Sequence, residues 1–193
     1  MKKVYDVSIK LLSALHINGG IDPSGVRVTI KSDGDPYIPA TLFKGIVREN
    51  FSKIAALYGD DSDCTGKTSA DSPCNCLSCR MFGKAGFQRS RLIFDNLTTQ
   101  QEYSYLMRTN VSISRYLQIN HDGALVFTQT VDRLDKSGNN IVFHGQITAH
   151  YPDDCARKAE AYLYTAIEMI KCIGLSKSRG LGFVEVTINE ANC

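Results

Sequence analysis

The chain has 193 residues, 43% of them hydrophobic, and a formal net charge of +2. That length fits one domain, or one domain with an insertion, and the apolar content is enough for a core. A charge so near neutral excludes a uniformly basic nucleic-acid coat, so any basic track must come from where the cations are placed. No run approaches the ~18 uncharged apolar residues of a membrane span, and Asp6 and Lys10 interrupt the apolar start, so no signal peptide is read there. The expected setting is cytoplasmic, without a membrane partner, where thiols stay reduced. Seven cysteines then point to metal or burial rather than to disulfides.

Residues 4–12 alternate, with Tyr5, Val7, Ile9 and Leu11 on one face and Asp6, Ser8 and Lys10 on the other, the pattern of a half-buried strand. Residues 13–37 carry turn signals (Gly19-Gly20, Asp22-Pro23, Ser24-Gly25, Asp33-Gly34), with room for a short strand at 26–30. After Pro39 the spacing of Leu42, Ile46, Phe51, Ile54 and Leu57 predicts a helix over 41–58, stopped at Gly59. Residues 60–86 are polar, Cys-rich and aperiodic, and a strand is predicted at 91–96. An extended stretch over 111–119 leads to His121-Asp122-Gly123, read as the turn of a hairpin returning through 124–131. After a loop at 136–140 come a strand at 141–150 and a helix over 154–172 carried by Ala159, Leu163, Ala166, Ile167 and Ile170. A glycine-rich loop and a last strand at 183–188 complete the pass. The order strand–helix–strand–strand–helix–strand predicts an α+β, ferredoxin-like fold, the plan of RNA-recognition-motif domains: an antiparallel sheet backed by two helices. The plan alone does not establish a function.

Cys64, Cys74, Cys76 and Cys79 fall in one polar stretch. Four thiolates can close a tetrahedral Zn²⁺ shell, and Cys76-x-x-Cys79 suits two ligands on one tight turn. A loop with so little core of its own needs an organiser, and structural zinc supplies on the order of 10–16 kcal/mol of apparent binding free energy. The alternative is four thiols in a flexible insertion. Nothing spaces a His or carboxylate as a mixed, open catalytic site. Cys155, Cys172 and Cys193 read as a helix start, a buried helix position and the last residue, and the four histidines are too scattered to build a nucleophilic triad.

The stretch IGLSKSRGLGFV, residues 173–184, has no Gly-Lys-Ser/Thr and lies after a helix and before a strand, so it fails both nucleotide-binding templates. A helix C-cap explains Gly174. Gly180 and Gly182, with Lys177 and Arg179 nearby, fit better a backbone brought close to a chain phosphate. Lys44 and Arg48 share one helix face, Arg89 and Arg91 flank the second strand, and Arg108 and Arg115 bracket the hairpin entry. Each alone is most often a solvated charge. Together they could line a groove for a single strand, with Tyr103, Tyr105 or Tyr116 to stack on bases.

Several stretches together resemble the RAMP superfamily, and within it the Cas-seven backbone subunits of class 1 CRISPR ribonucleoprotein complexes. Leu15-His16-Ile17-x-Gly19-Gly20 is similar to the family's LHIGG stretch, and residues 36–48, PYIPATLFKGIVR, to its PYIPGSSLKGxxR helix entry. Cys79-x-Met81-Phe82-Gly83, residues 90–95 (SRLIFD) and residues 174–182 (GLSKSRGLG) are similar to its LFG, SRLxFxD and glycine-rich segments, and type III-like members carry a comparable zinc insertion. The resemblance implies one domain over 1–193, with 60–86 as the zinc insertion and about 103–140 as a β-hairpin thumb. It implies a subunit that holds guide crRNA without reading its sequence, stacks with copies of itself into a filament beside other CRISPR effector subunits, and presents the guide to target RNA. His16, Lys44, Arg48, Arg89, Arg91, Arg108, Arg115, Ser176, Lys177, Ser178, Arg179, Gly180 and Gly182 would contact the RNA, and Ile113, Leu117 and Ile119 would be the thumb's wedges.

RNA-cleaving type III members carry an Asp in an IDxPVI-like stretch shortly before that helix entry. Residues 26–30, VRVTI, have none; Asp22 lies several residues early, in an Asp-Pro turn pair. Three readings stay open: a non-cleaving guide-binding subunit, which the sequence favours; a metal-dependent endoribonuclease using Asp22; and a stand-alone zinc-containing RNA-binding domain.

Overall fold

The computed structural model describes residues 1–60, 74, 76–84 and 88–191, without the side chains of His121 and Asp122. In chain order its elements are β1 (Lys2–Leu11), β2 (Asn18–Ile21), β3 (Arg27–Thr29), β4 (Lys31–Ser32), β5 (Asp35–Ile38), α1 (Ala40–Leu57), α2 (Leu77–Phe82), β6 (Leu92–Phe94), β7 (Leu97–Thr98), β8 (Tyr105–Ile113), β9 (Asn120–Val131), β10 (Val142–His150), α3 (Ala156–Glu168) and β11 (Val184–Glu190).

The main sheet runs β11-β1-β10, then β6 and β7 against β10, and on through β5 to β4. All its pairings are antiparallel. This is the α+β, ferredoxin-like arrangement: β1 lies between β11 and β10, and α1 and α3 cross between strands. The alternation read in β1 holds, with Tyr5, Val7, Ile9 and Leu11 all buried toward the helices. Each such side chain taken out of water contributes about 1.5–3 kcal/mol.

The buried stripe of α1 is Phe43, Val47, Phe51, Ile54 and Ala55. It is rotated from the expected one: Leu42 and Ile46 are half-buried, and Leu57 is exposed. Pro39 has no side chain to cap the helix, and Asn96 Oδ1 accepts from Ala40 N at 2.8 Å instead. The second crossing helix is shorter than its apolar spacing predicts. It stops at Glu168, and Cys172 lies beyond it, bridged to Phe183. The unexpected helix is α2, one short turn-and-a-half inside the polar segment, with Leu77, Met81 and Phe82 in the core.

A second sheet, β2-β3-β9-β8, stands off the first. Its β8–β9 hairpin turns at 114–119, where Ser114 N donates to Ile119 O at 2.9 Å and Gln118 takes a φ of 53°. The expected turn, His121-Asp122-Gly123, lies inside β9 instead. Among the described residues no helix is long and apolar enough to cross a membrane.

Candidate nucleic-acid interface

Residues 171–184 return the chain from α3 to β11 in a pinched loop. Ile173 N donates to Gly182 O at 2.8 Å, Gly182 N to Ala14 O at 2.9 Å, and Leu175 N to His16 O at 2.9 Å. A side chain at Gly174 would place its Cβ 2.4 Å from His16 O, and one at Gly182 1.9 Å from Ile173 O, both at positive φ. These two glycines are therefore explained by close backbone approach at the loop's base. The C-cap reading of Gly174 fails, because α3 has already ended. At the crest Lys177–Arg179 form a 3₁₀ turn flanked by Ser176 and Gly180, both left-handed. A Cβ on Gly180 would meet nothing within 4 Å among the described residues. Lys177, Ser178 and Arg179 are exposed.

A groove opens on each side of this crest. The first, about 240 Å³, lies under the β8–β9 hairpin and is lined by His16, Arg27, Asn110, Thr128, Ser176 and Arg179 among others. His16 is 2% exposed. Its Nδ1 meets Gln129 O at 2.8 Å, and among the described residues its Nε2 has no partner. Because a carbonyl only accepts, Nδ1 carries the proton. Burial, the larger cause, and the Arg27 charge push the ring's pKa below its usual value, against the bond to Gln129, so the ring is neutral and Nε2 is an acceptor. The second groove, about 530 Å³, is lined by Leu12, Met107, Arg108, Arg133, Gly180 and Leu181 among others.

The structure thus gathers His16, Arg108, Ser176, Arg179 and Gly180 around one crest. It adds Arg27, Asn110, Thr128 and Arg133, which the sequence did not single out. Arg27 and Thr128 are register partners across β3 and β9, a long-range pairing with no local signal. Lys44, Arg48, Arg89, Arg91 and Arg115 line neither groove. Lys177 lies near enough to α1 to help hold the Glu49 carboxyl below its usual pKa, after the larger effect of Lys53. Arg115 sits in the hairpin turn, beside the exposed Ile113, Leu117 and Ile119. Arg91 lies toward Cys155, whose thiol burial pushes up. Of the candidate stacking rings, Tyr103 packs edge-on against Tyr105 at 5.4 Å and donates to Asp35 at 2.6 Å. The Lys31 ammonium lies over Tyr105 at 4.3 Å. Tyr116, 97% exposed, leaves its ring open.

Asp22 caps its own turn. Oδ1 accepts from Ser24 N at 2.9 Å, Ser24 Oγ at 2.6 Å and Val26 N at 2.9 Å. Those bonds, the Ser24 hydroxyl's foremost, hold its pKa below the ordinary carboxylate range. A carboxylate so stabilised is a poor proton acceptor.

Three of the expected metal ligands converge. The sulfurs of Cys74, Cys76 and Cys79 all lie within 4.8 Å of one another. A tetrahedral Zn²⁺ with ~2.3 Å bonds to sulfur would draw such a set together with little movement. Cys76 is the N-cap of α2, its Sγ accepting from Cys79 N at 3.4 Å. The soft all-sulfur donor set fits zinc and could hold it. Cys64 lies outside the described residues.

A family model described as the RAMP superfamily matches residues 8–185. No curated protein matches the chain.

Proposed function

We propose a role from one premise: this chain belongs to the RAMP superfamily, whose model spans residues 8–185 of its 193. That family points to a CRISPR-associated RNA-binding module. The finer reading is a type III-like backbone subunit, one domain with a zinc insertion at 60–86 and a thumb at about 103–140. It grips guide crRNA by its phosphates, stacks with copies of itself and companion effector subunits in the cytoplasm, and leaves the bases to pair with target RNA.

One observation carries this reading: the exposed Lys177–Gly180 crest stands between two grooves that hold Arg27 and Arg179 on one side and Arg108 and Arg133 on the other. Such an arrangement tracks a backbone and carries no base-edge code. The engagement of Asp22 in its own turn favours binding over cleavage at that residue.

Purification with associated RNA, followed by sequencing, tests the proposal. Repeat-derived guides on a multi-copy particle are expected; random cellular RNA on a monomer sinks it. If Arg27, Arg108, Arg133, Lys177 and Arg179 each meet a phosphate, the log-affinity for a single strand falls with log salt at a slope of about −3.5.

A further inference from the structure

One cation expected on the RNA track points elsewhere. Arg48 is half-buried on α1, and its Nη2 lies 4.0 Å from the Cys79 sulfur. The approach belongs to a fixed seam between two helices. One turn further along α1, Ser52 Oγ donates to Ser78 Oγ at 3.0 Å, and Ser78 itself is buried. Arg48 and Ser52 therefore share the α1 face that meets Ser78 and Cys79 on α2. Among the described residues no carboxylate pairs with Arg48, and Lys44, one turn back and half-buried, adds a second positive charge. Two like charges partly withdrawn from water need a negative group nearby.

The cysteine set supplies that group. Three thiolates around a divalent ion leave a net charge of about −1, and a fourth would make it about −2. We infer that Arg48 is a positioning residue of the cysteine metal centre: its guanidinium donates to the Cys79 sulfur, offsets the negative charge of the thiolate set and fastens the centre to α1. Groups that hydrogen-bond metal ligands commonly change metal affinity by about 10–100-fold when removed. This assignment stands apart from the guide-binding proposal and survives its failure.

The test uses the full-length chain and Zn²⁺ alone, in competition with a chromogenic chelator. Arg48→Leu is expected to weaken zinc binding by about 10–100-fold, Arg48→Lys to recover part of the loss, and Lys53→Gln, an exposed charge on the same helix, to leave affinity unchanged. Co²⁺ substitution gives a second readout: the thiolate-to-metal absorption band should shift in Arg48→Leu, because a donor to one sulfur has gone. Should Arg48→Leu lower the fold's own stability, the gain in Tm on adding zinc still reports the coupling and is expected to be smaller than in the parent. Unchanged zinc affinity, with the cobalt band in place, overturns the inference. So does a variant whose only defect is a flatter salt dependence of RNA binding, which would return Arg48 to the strand.

Discussion

His16 is held by a carbonyl on one ring nitrogen and by burial on all sides, and both facts bear on pH. Its folded pKa is depressed, mainly by desolvation, so below about 6.5 the unfolded chain takes up a proton that the folded chain refuses. The stability it contributes is therefore complete above that pH and is lost as pH falls toward the lower folded value. Urea midpoints at pH 7.5 and 5.5 are expected to differ more in the parent than in His16→Asn, whose amide can still donate to Gln129 O. Equal pH slopes would remove the argument. Asp22 makes the opposite kind of residue-scale case. It is half-buried and stitches the β2–β3 turn through three acceptor bonds. Asp22→Ala should raise amide exchange at Ser24 and Val26 while leaving RNA affinity intact. The Asp-Pro pair told its turn role in advance. The tautomer of His16 depends on Gln129, 113 residues away, and was invisible in the sequence.

At the scale of elements, regular alternation was readable and special backbone was not. β1 and β10 carry clean apolar alternation and fall nearly where expected. The hairpin turn was misplaced because its left-handed residue is Gln118, not a glycine. The Gly123 that drew the reading has a φ of 70° but sits inside β9, past a register shift after Val111. The short strands β2, β4, β5 and β7 offer too few residues for a period to show. The glycine loop gives a graded prediction. Gly180→Ala meets no atom and pays only for its left-handed φ, about 1–2 kcal/mol. Gly182→Ala must also push Ile173 O aside at the loop's base, so its loss of Tm should be clearly the larger. Equal losses would mean that the base is less tightly closed than these contacts require. At the hairpin tip Leu117→Ser, 70% exposed, should change stability by less than ~0.5 kcal/mol while weakening guide binding if the tip is a wedge. A melt and a binding titration on the same preparation separate the two effects.

For the whole molecule, the order of elements was enough for the fold, because a ferredoxin-like sheet follows from which segments are strands and which are helices. What the sequence hid was how the cysteine stretch joins that core. Residues 60–86 looked aperiodic, yet α2 seats Met81 and Phe82 in the main hydrophobic cluster, with the Phe82 ring 5.3 Å from Phe51 and 6.3 Å from Phe94. A six-residue helix cannot hold itself together in water. Packing and the contact of Arg80 Nη2 with both Asp154 carboxylate oxygens, at 2.8 and 2.9 Å, hold it, and a metal on Cys76 and Cys79 would add to them. Chelation should then loosen part of the core around α2. Even a net loss of ~3 kcal/mol would lower Tm by about 6–12 °C in a chain of this size. Zn²⁺ should restore the melt and Mg²⁺ should not, since the donors are sulfur. The same treatment should make Cys79, buried in the structure, newly open to alkylation. A melt indifferent to the chelator would show that packing alone fixes α2, and that the thiolates were gathered for some other end.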